Sequence, residues 1–452
     1  MNTPICDFVQ AYAKKNAIRL HMPGHKGVPH LGPEPLDITE ITGADVLYHA
    51  GGVIRQSEKN AASLFGSAKT LYSAEGSSLC IRAMLYLIQC AAVRRGIRPL
   101  VVAARNAHKT FITAAALLDV EIKWLYSREG ELFSCRFAPD ELEEMILRNH
   151  PSAVYITSPD YLGNICDIRA VSDICRRHKV ILAVDNAHGA YLNFLPVSRH
   201  PLALGADICC DSAHKTLPVL TGGAYLHIAA SAPPLFSEQA EAALSLFAST
   251  SPSYLILQSL DMANSLLEKQ LPADLRRIAA ETALLKKALA DYGFSLVGDE
   301  PLKLTLAPKS FGYTGSRLAA YLEERNIFCE FCDPDFLVMM FSSETKKEHI
   351  DILKSTLLSL PRKAPISELP PTLRPAEAVL SPHDAIMLPN RLTPVEQAEG
   401  KILASVSVTC PPAVPIAICG ERINASAAEC FAYYGIDYCL TVDDDACDNH
   451  SF

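Results

Sequence analysis

The chain has 452 residues, of which 49% are hydrophobic and 20% charged, and its formal net charge is −9. At roughly 150 residues per domain this length predicts two or three domains, and the composition is typical of a globular protein with ample material for a buried core. The negative charge is spread along the chain without a basic run, which disfavours a nucleic-acid partner.

Fifteen cysteines are scattered along the chain, and most stand alone. The one C-x-x-C spacing, Cys329 to Cys332, lacks a second such pair or a histidine pair, so we predict no metal site. The first residues show no basic stretch before an apolar core, so we expect no secretory signal. Prolines and glycines interrupt the uncharged stretches 216–237 and 402–420, so we expect no membrane span. The prediction is a cytoplasmic protein with reduced thiols.

From about residue 98 to residue 228, short apolar strands alternate with amphipathic helices, which predicts an α/β fold with a mostly parallel sheet. The predicted strands are 100–104, 120–125, 153–157, 180–185, 207–210 and 224–228, and the predicted helices are 139–149 and 168–178. Ligands bind beyond the carboxyl ends of the strands in such sheets. Asp185 lies at such an end, and His108, Asp160 and Lys215 each follow another, so we expect these side chains along one rim.

Beyond the predicted sheet, helical patterns at 237–247, 253–271 and 273–292 precede a smaller series of strands and helices that ends near residue 358 and includes a predicted strand at 327–331. The proline-rich segment 361–375 has the composition of a linker. We therefore predict an amino-terminal segment with a large domain (1–260), a small α/β domain (261–360), this linker, and a carboxy-terminal domain (376–452).

The tetrapeptide Ser212-Ala213-His214-Lys215 indicates a cofactor site. A lysine between a strand and a turn can bind an aldehyde cofactor as a Schiff base if its amine is desolvated. Asp185 supplies the carboxylate that keeps a pyridine nitrogen protonated, so that the ring can accept electrons. Taken singly, the two residues would be a solvated lysine and a strand-end turn residue. As a pair they predict a site for pyridoxal phosphate.

Other polar segments fit the same cofactor. Gly76-Ser77-Ser78 precedes an apolar helix whose free amides suit a phosphate, although an ordinary serine cap is the alternative. His108 could stack on the pyridine ring or be merely solvated. His188, three residues past Asp185, could face the ring or serve in capping or packing. The hydroxyl-rich segment 249–254 could cap a helix or bind phosphate.

Together these motifs resemble the pyridoxal phosphate-dependent ornithine, lysine and arginine decarboxylases of fold type I, in particular the shorter bacterial members without an amino-terminal wing domain. The two specific pieces are Leu20-His21-Met22-Pro23-Gly24-His25-Lys26-Gly27 and Ser212-Ala213-His214-Lys215-Thr216-Leu217. The further pieces are 37–40, 43–45, 65–66, 76–78, 105–109, 185–189, 250–254 and 411–423. The resemblance spans nearly the whole chain.

This resemblance implies a transferase-type fold with a mostly parallel central sheet, a small α/β domain and a carboxy-terminal α+β domain. By the resemblance, Lys215 would form the internal aldimine, Asp185 would pair with the pyridine nitrogen and His108 would stack on the ring. The residues expected to bind the phosphate are Gly76, Ser77, Ser78, Ser212 and His214.

The resemblance also assigns roles toward the substrate. His188 would lie near the ring oxygen or the substrate, and Lys215 or His214 would return a proton to the α carbon. Glu421 is a candidate for binding the distal cation, with a solvated strand-end glutamate as the alternative. The expected assembly is a homodimer or a higher oligomer, in which the segment 249–254 reaches the neighbouring site.

The predicted reaction converts a basic amino acid to the corresponding amine and CO2. Whether the small-molecule substrate is lysine, arginine or ornithine stays open, as does a role in polyamine supply or acid resistance. An aminotransferase or an aldolase is the alternative, because the cofactor does not choose which bond breaks. A catalytically impaired homologue is also open, because Glu75, Asn186 and Gly222 depart from the family pattern.

Overall fold

The computed structural model describes residues 1–127, 136–410, 414–443 and 445. Pro411, Pro412 and Ala413, which open the last of the family-like motifs, lie outside the described residues.

A large sheet forms the centre of the fold. Its strands are β1 (Lys69–Ser73), β2 (Leu100–Ala104), β3 (Glu121–Leu125), β4 (Ala153–Thr157), β5 (Ile181–Asp185), β6 (Ile208–Asp211) and β7 (Ala224–Ile228). Among the described residues their order is β1-β7-β6-β5-β4-β2-β3. Strands β2 to β6 run parallel, whereas β7 is antiparallel to both neighbours. The predicted α/β class with a mostly parallel sheet is confirmed.

Most of the strands are apolar because helices cover both faces of the sheet, whereas the edge strands β1 and β3 also carry polar residues. Every residue of β2, β5 and β7 is buried. Residues of alternating orientation belong to two separate core clusters, with Val101 and Ala103 on one face and Val102 and Ala104 on the other. This two-sided burial fixes the register of the strands and so the position of the residues that follow them.

Helices surround and extend this sheet. In chain order they are α1 (Pro4–Lys14), α2 (Val53–Phe65), α3 (Gly76–Arg94), α4 (Lys109–Leu118), α5 (Pro139–Asn149), α6 (Ile168–His178), α7 (Pro201–Leu204), α8 (Ala213–Thr216), α9 (Pro234–Ser245), α10 (Tyr254–Lys269), α11 (Leu271–Tyr292), α12 (Gly315–Glu323), α13 (Lys347–Leu358), α14 (Pro382–Met387) and α15 (Ala425–Tyr433). Helix α3 alone among the described helices is long and apolar enough to cross a membrane. It packs against α4, α9 and strands β6 and β7, so its apolar surface belongs to the core.

A small sheet follows the long helix α11. Its strands are β8 (Ser295–Val297), β9 (Lys303–Ala307), β10 (Phe331–Cys332) and β11 (Leu337–Met340), paired antiparallel in the order β10-β11-β9-β8. The strand expected at 327–331 is instead the two-residue β10, which a bend at Glu330 precedes. The core cluster of the large sheet continues into this sheet through Leu304 and Leu306.

The last part of the chain forms two-stranded ladders. They join β12 (Asn390–Pro394) to β15 (Tyr438–Val442) and β13 (Ser407–Cys410) to β14 (Val414–Ile418). A separate core cluster that includes Ile416 and Phe431 holds these strands against α15. The domain boundaries at residues 260, 360 and 375 stay a prediction.

Candidate active site

A cavity of about 260 Å³ opens at the carboxyl ends of β2, β4, β5 and β6. The predicted residues that line it are Gly76, Ser77, Ser78, His108, Asp185, His188, Ser212, His214 and Lys215. The structure thus brings together side chains that are up to 139 positions apart in the sequence, because parallel strands end at the same rim. Glu421 is absent from this lining.

Lys215 lies on the one-turn helix α8 that follows β6. The backbone N–H of Lys215 donates to the carbonyl of Ser212, which closes the turn. Burial lowers the pKa of the Lys215 amine, and the negative charge of Asp185 opposes this shift. A buried amine with a lowered pKa is available as a nucleophile more often than a solvated lysine.

Asp185 is the last residue of β5 and is 2% exposed. One carboxylate oxygen accepts from the backbone N–H of Ala187 at 3.1 Å, and the other accepts from the Tyr155 hydroxyl at 3.3 Å. These donors and the Cys210 thiol, 3.8 Å from the carboxylate, are neutral, so no ion pair among the described residues balances this buried charge. A protonated ring nitrogen in the cavity would supply a positive partner.

The start of α3 forms the opposite wall. The backbone N–H of Gly76 donates to the carbonyl of Gly222 at 2.7 Å, and the Ser212 hydroxyl donates to that of Ser77 at 2.8 Å. His214 donates through Nδ1 to the Gly223 carbonyl at 3.1 Å. This cluster of hydroxyls at the start of a long helix suits an anion such as a phosphate.

Two further imidazoles face the cavity. His108 caps α4, where its Nδ1 accepts the backbone N–H of Thr110, and burial lowers its pKa. Nε2 of His188 lies 3.1 Å from Nζ of Lys215. Burial, followed by the charges of Lys215 and Lys303, holds the pKa of His188 well below its ordinary value. Both rings are therefore neutral near pH 7.

The three residues that depart from the family pattern, Glu75, Asn186 and Gly222, make defined contacts in the structure. The Glu75 carboxylate accepts the backbone N–H of Ser249 at 2.7 Å, which ties the phosphate-binding end of α3 to the segment 249–254. The Asn186 amide donates to Asp211 at 2.6 Å. Gly222 has φ of +98°, and a Cβ there would lie 2.9 Å from the Ala74 carbonyl oxygen. These residues build the site and do not obstruct it.

Glu421 does not line this cavity, and its role toward the substrate stays a prediction. Its carboxylate accepts from Arg105 at 3.0 Å, and the two side chains are 5% and 7% exposed. A second hydrogen bond comes from the backbone N–H of Ile418 at 2.9 Å. With these partners, Glu421 joins the carboxy-terminal strands to the loop after β2.

Sequence reasoning missed three side chains near the rim. Lys303 is buried on β9 and lies 3.3 Å from Nδ1 of His188. Tyr161 lines the cavity, and its hydroxyl donates to the exposed carboxylate of Glu330 at 3.1 Å. A lysine within the apolar run 302–306 was the available signal for Lys303. Tyr161 and Glu330 lie on a loop and a bend, where no periodicity marks them.

The cavity has buried polar atoms to offer a ligand. The Asn106 amide and the Thr157 hydroxyl line it and have no hydrogen-bond partner among the residues that the structure describes. Buried polar groups without partners are costly. Together with the amine of Lys215, the carboxylate of Asp185 and the hydroxyls at the start of α3, they fit a cofactor with an aldehyde, a pyridine nitrogen and a phosphate.

In the part of the chain that the structure describes, one buried group has metal-ligand atoms within 4.8 Å of one another, and it comprises His200, Cys209 and Asp211. Nδ1 of His200 accepts the backbone N–H of Leu202, so Nε2 carries an N–H. That Nε2–H donates to Asp211 at 3.0 Å. The group is therefore a hydrogen-bonded support for Asp211, which in turn holds Asn186.

Comparison with known proteins identifies the family. The family model described as "Orn/Lys/Arg decarboxylase, major domain" matches residues 3–296. The chain belongs to the Orn/Lys/Arg decarboxylase family. It is therefore a pyridoxal phosphate-dependent amino acid decarboxylase, as the sequence motifs predicted.

Relatives of the decarboxylase align over most of their length. An arginine decarboxylase of Bacillus subtilis is 28% identical, and the alignment covers 93% of this chain and 91% of the relative. A protein of the same organism named "Uncharacterized protein YaaO" is 29% identical over 95% of this chain and 93% of its own. An arginine decarboxylase of Halalkalibacterium halodurans is 27% identical over 94% and 91%.

Solved structures share the fold of the decarboxylase. Lysine decarboxylase A from Pseudomonas aeruginosa superposes with a TM-score of 0.80 at 17% identity, over 97% of this chain and 80% of that one. A lysine decarboxylase of Francisella novicida gives a TM-score of 0.76 at 16% identity, over 98% and 81%. At these identities the likeness bears on the fold, and it confirms the predicted fold type I architecture.

Proposed function

We propose that this decarboxylase converts arginine to agmatine and CO2. The observation that carries the decarboxylase chemistry is the placement of the half-buried Lys215 and the buried Asp185 on one cavity. Support for arginine comes from the full-length relatives named arginine decarboxylase. Lysine and ornithine differ from arginine only in the distal group and the chain length, so they are the substrates to test beside it.

Bound pyridoxal phosphate supplies a ring that accepts the electron pair left when CO2 departs. The chain's own residues then have separable tasks. The Lys215 amine would bind the aldehyde carbon, and the Asp185 carboxylate would hold the proton on the ring nitrogen. His108 would lie against the ring face. The phosphate would bind the residues Gly76, Ser77, Ser78, Ser212 and His214.

After CO2 departs, the α carbon must receive a proton from a group that can hold one inside the cavity. Lys215 and His214 both line it, and burial lowers the pKa of each. For Lys215 this shift moves the pKa toward neutrality, where a general acid transfers protons efficiently, and such transfer contributes about 10² to 10⁴ in rate. For His214 the shift moves the pKa further below the ordinary value of 6.5. His188 contacts Lys215 and would adjust its protonation.

Beside Glu421, we propose Glu330 as a second candidate partner of the distal cation. Its carboxylate is exposed beside the cavity and hydrogen-bonds to Tyr161, which lines it. Its negative charge also favours the ammonium forms of Lys215 and Lys303 and so opposes the lowering of their pKa by burial, which places it near the rim. A guanidinium forms paired hydrogen bonds with a carboxylate, so this position suits arginine.

A panel of L-arginine, L-lysine and L-ornithine, assayed for CO2 release and for the amine product, tests the proposal. We expect arginine to give the highest kcat/KM. Release of a keto acid instead of CO2 would identify an aminotransferase. Protein that holds the cofactor but acts on none of the three would identify a catalytically impaired homologue.

We also propose a cytoplasmic homodimer or higher oligomer. The described cysteines are unpaired thiols, which fits a reducing compartment. In the amino-terminal segment Ile18, Leu20 and Leu31 are 87%, 90% and 91% exposed, so a second copy would bury them. Light scattering after size-exclusion chromatography tests this, and a monomer of 49.1 kDa would contradict it.

A further inference from the structure

Lys303 is a second buried lysine beside the cavity, contributed by strand β9 of the small sheet. Its Nζ lies 3.2 Å from the carbonyl oxygen of Asp160, 3.1 Å from that of Tyr161 and 3.3 Å from Nδ1 of His188. An ammonium group has three N–H donors and no lone pair. The three donors match these three acceptors, so Nδ1 of His188 must carry a lone pair.

This contact decides where the proton of His188 lies. A neutral imidazole has one N–H and one lone pair, and burial, the largest cause of the lowered pKa of His188, favours the neutral ring. With the lone pair on Nδ1, the proton lies on Nε2 and points toward Nζ of Lys215, 3.1 Å away. A protonated Lys215 has no lone pair to accept it. The arrangement therefore requires the uncharged form of Lys215.

We propose that Lys303 is a positioning residue that fixes the tautomer of His188 and thereby holds Lys215 as a free amine. The free amine is the form that condenses with an aldehyde: its nitrogen attacks the aldehyde carbon, and its two protons leave with the aldehyde oxygen as water. This inference rests on the proposed function, because it concerns the same lysine.

The charged groups around Lys215 show why a fixed tautomer of His188 is useful. Asp185 and Glu330 face Lys215 and, with the thiol of Cys210, favour its ammonium form. Burial opposes them. A charge on His188 is in turn disfavoured by burial and by the charged forms of Lys215, Lys303, His108 and His214, and the Tyr161 ring lies edge-on at 5.3 Å.

Lys303 stays protonated, and so keeps its three N–H donors, over the pH range in which Lys215 would otherwise be charged. Burial lowers its pKa to about 8, while Glu300 and Asp160 favour its charged form and Lys215 disfavours it. Below pH 8 Lys303 is thus an ammonium. An ordinary lysine with a pKa of roughly 10.4 is also charged there, so this is the range in which Lys215 needs the restraint.

Lys286 provides a matched control on the same part of the fold. It is another largely buried lysine whose pKa burial lowers, and it donates to the backbone carbonyl of Glu300 at 2.7 Å. Its hydrogen bond is to Glu300 and not to His188. Substitution of Lys286 therefore removes a buried positive charge from the region and leaves the contact between Lys303 and His188 in place.

The experiment follows the condensation of cofactor-free protein with pyridoxal 5′-phosphate between pH 6 and pH 9, by the visible absorbance of the lysine adduct. In Lys303→Met, His188 can turn its lone pair toward Lys215 and stabilise the ammonium. We expect the acidic limb of the rate profile to move up by about one pH unit, which is a tenfold slower reaction near pH 7. Lys303→Gln keeps an N–H donor for Nδ1 and should restore most of the rate, and Lys286→Met should match the wild type.

A Lys303→Met profile that superposes on the wild type would overturn the proposal, and so would a Lys303→Gln profile as shifted as that of Lys303→Met. If Lys303→Met does not fold, ¹⁵N NMR of histidine-labelled wild-type protein decides, with the His188 signals assigned from His188→Asn. A proton on Nε2 supports the proposal and a proton on Nδ1 contradicts it. Wild-type protein that never condenses at Lys215 would instead refute the proposed function.

Discussion

Oε2 of Glu421 lies 3.0 Å from the guanidinium of Arg105, and both side chains are almost fully buried. The contact joins the turn after β14 to the loop after β2. The same loop carries the cavity residues Asn106 and His108. Burial raises the pKa of Glu421, and the Arg105 charge opposes that rise. An ion pair in this setting holds two parts of the fold in register.

We predict that Glu421→Ala lowers the free energy of unfolding by about 3–5 kcal/mol, because it leaves Arg105 buried without a counter-ion. Arg105→Met combined with Glu421→Met should recover part of the loss. Glu377 forms an exposed ion pair with the neighbouring Arg422, and Glu377→Ala should cost about 0–1 kcal/mol. Chemical denaturation measures all three. A Glu421→Ala protein of wild-type stability with a raised KM would contradict this structural role and indicate that Glu421 binds the substrate.

Asp185→Asn should lower kcat by about 10²–10³ with little change in stability, because an amide cannot hold the proton on the ring nitrogen. Tyr155→Phe is the matched control. It removes the hydroxyl 3.3 Å from the carboxylate and leaves the charge in place, so it should retain most of the activity. Steady-state kinetics on cofactor-saturated protein makes the comparison. Equal losses in the two variants would show that the charge of Asp185 is not what matters.

Gly222→Ala should weaken retention of the cofactor. Its backbone has φ of +98°, and the added methyl group would lie 2.9 Å from the Ala74 carbonyl oxygen, which displaces the start of α3. Gly66 has φ of +68° with nothing within 4 Å, so Gly66→Ala carries only the cost of the left-handed backbone, about 1–2 kcal/mol. Cofactor titration of both variants measures the difference. Equal dissociation constants would mean that the close approach at Gly222 has no role in binding.

Glu58 makes stability depend on pH. Burial raises its pKa to about 8, although the Tyr72 backbone N–H and Arg55 oppose this. The unfolded chain releases this proton near pH 4.5 and the folded chain only near pH 8, so the group's contribution to stability is lost as pH rises between those values.

Glu58→Gln removes that titration. Its stability relative to the wild type should therefore increase from pH 5 to pH 8, by at most about 1.4 kcal/mol per pH unit. Urea denaturation at fixed protein concentration measures this at pH 5, 6.5 and 8. Glu348 is exposed on α13, and Glu348→Gln should show no such trend. A constant difference between Glu58→Gln and the wild type would contradict the assignment.

Much of the fold was predictable because its strands are apolar runs between turns. The predicted strands at 100–104, 153–157 and 224–228 have the observed bounds. Strand β1 was missed because Lys69–Ser73 is short and mixed in polarity, and its burial comes from pairing with β7, 155 positions away. Strand β10 was misplaced because the bend at Glu330 interrupts an apolar run that reads as continuous.

The same distinction between local patterns and long-range contacts holds for the site residues. Residues that follow strands, such as Asp185 and Lys215, were predictable because the strand pattern fixes the rim. The partners of Glu421 and His188 were not, since Arg105 and Lys303 reach them from 316 and 115 positions away. Pairing over such separations depends on how the parts of the fold pack, which no local pattern records.

The central claim is that Lys215 is the residue that carries the cofactor. Borohydride reduction of the cofactor-loaded protein, followed by proteolysis and mass spectrometry, tests it most directly. We predict a pyridoxyl modification on the peptide that contains Lys215, and its disappearance together with the visible absorbance in Lys215→Ala. Modification of a different lysine, or a Lys215→Ala protein with an unchanged absorbance band, would contradict the account.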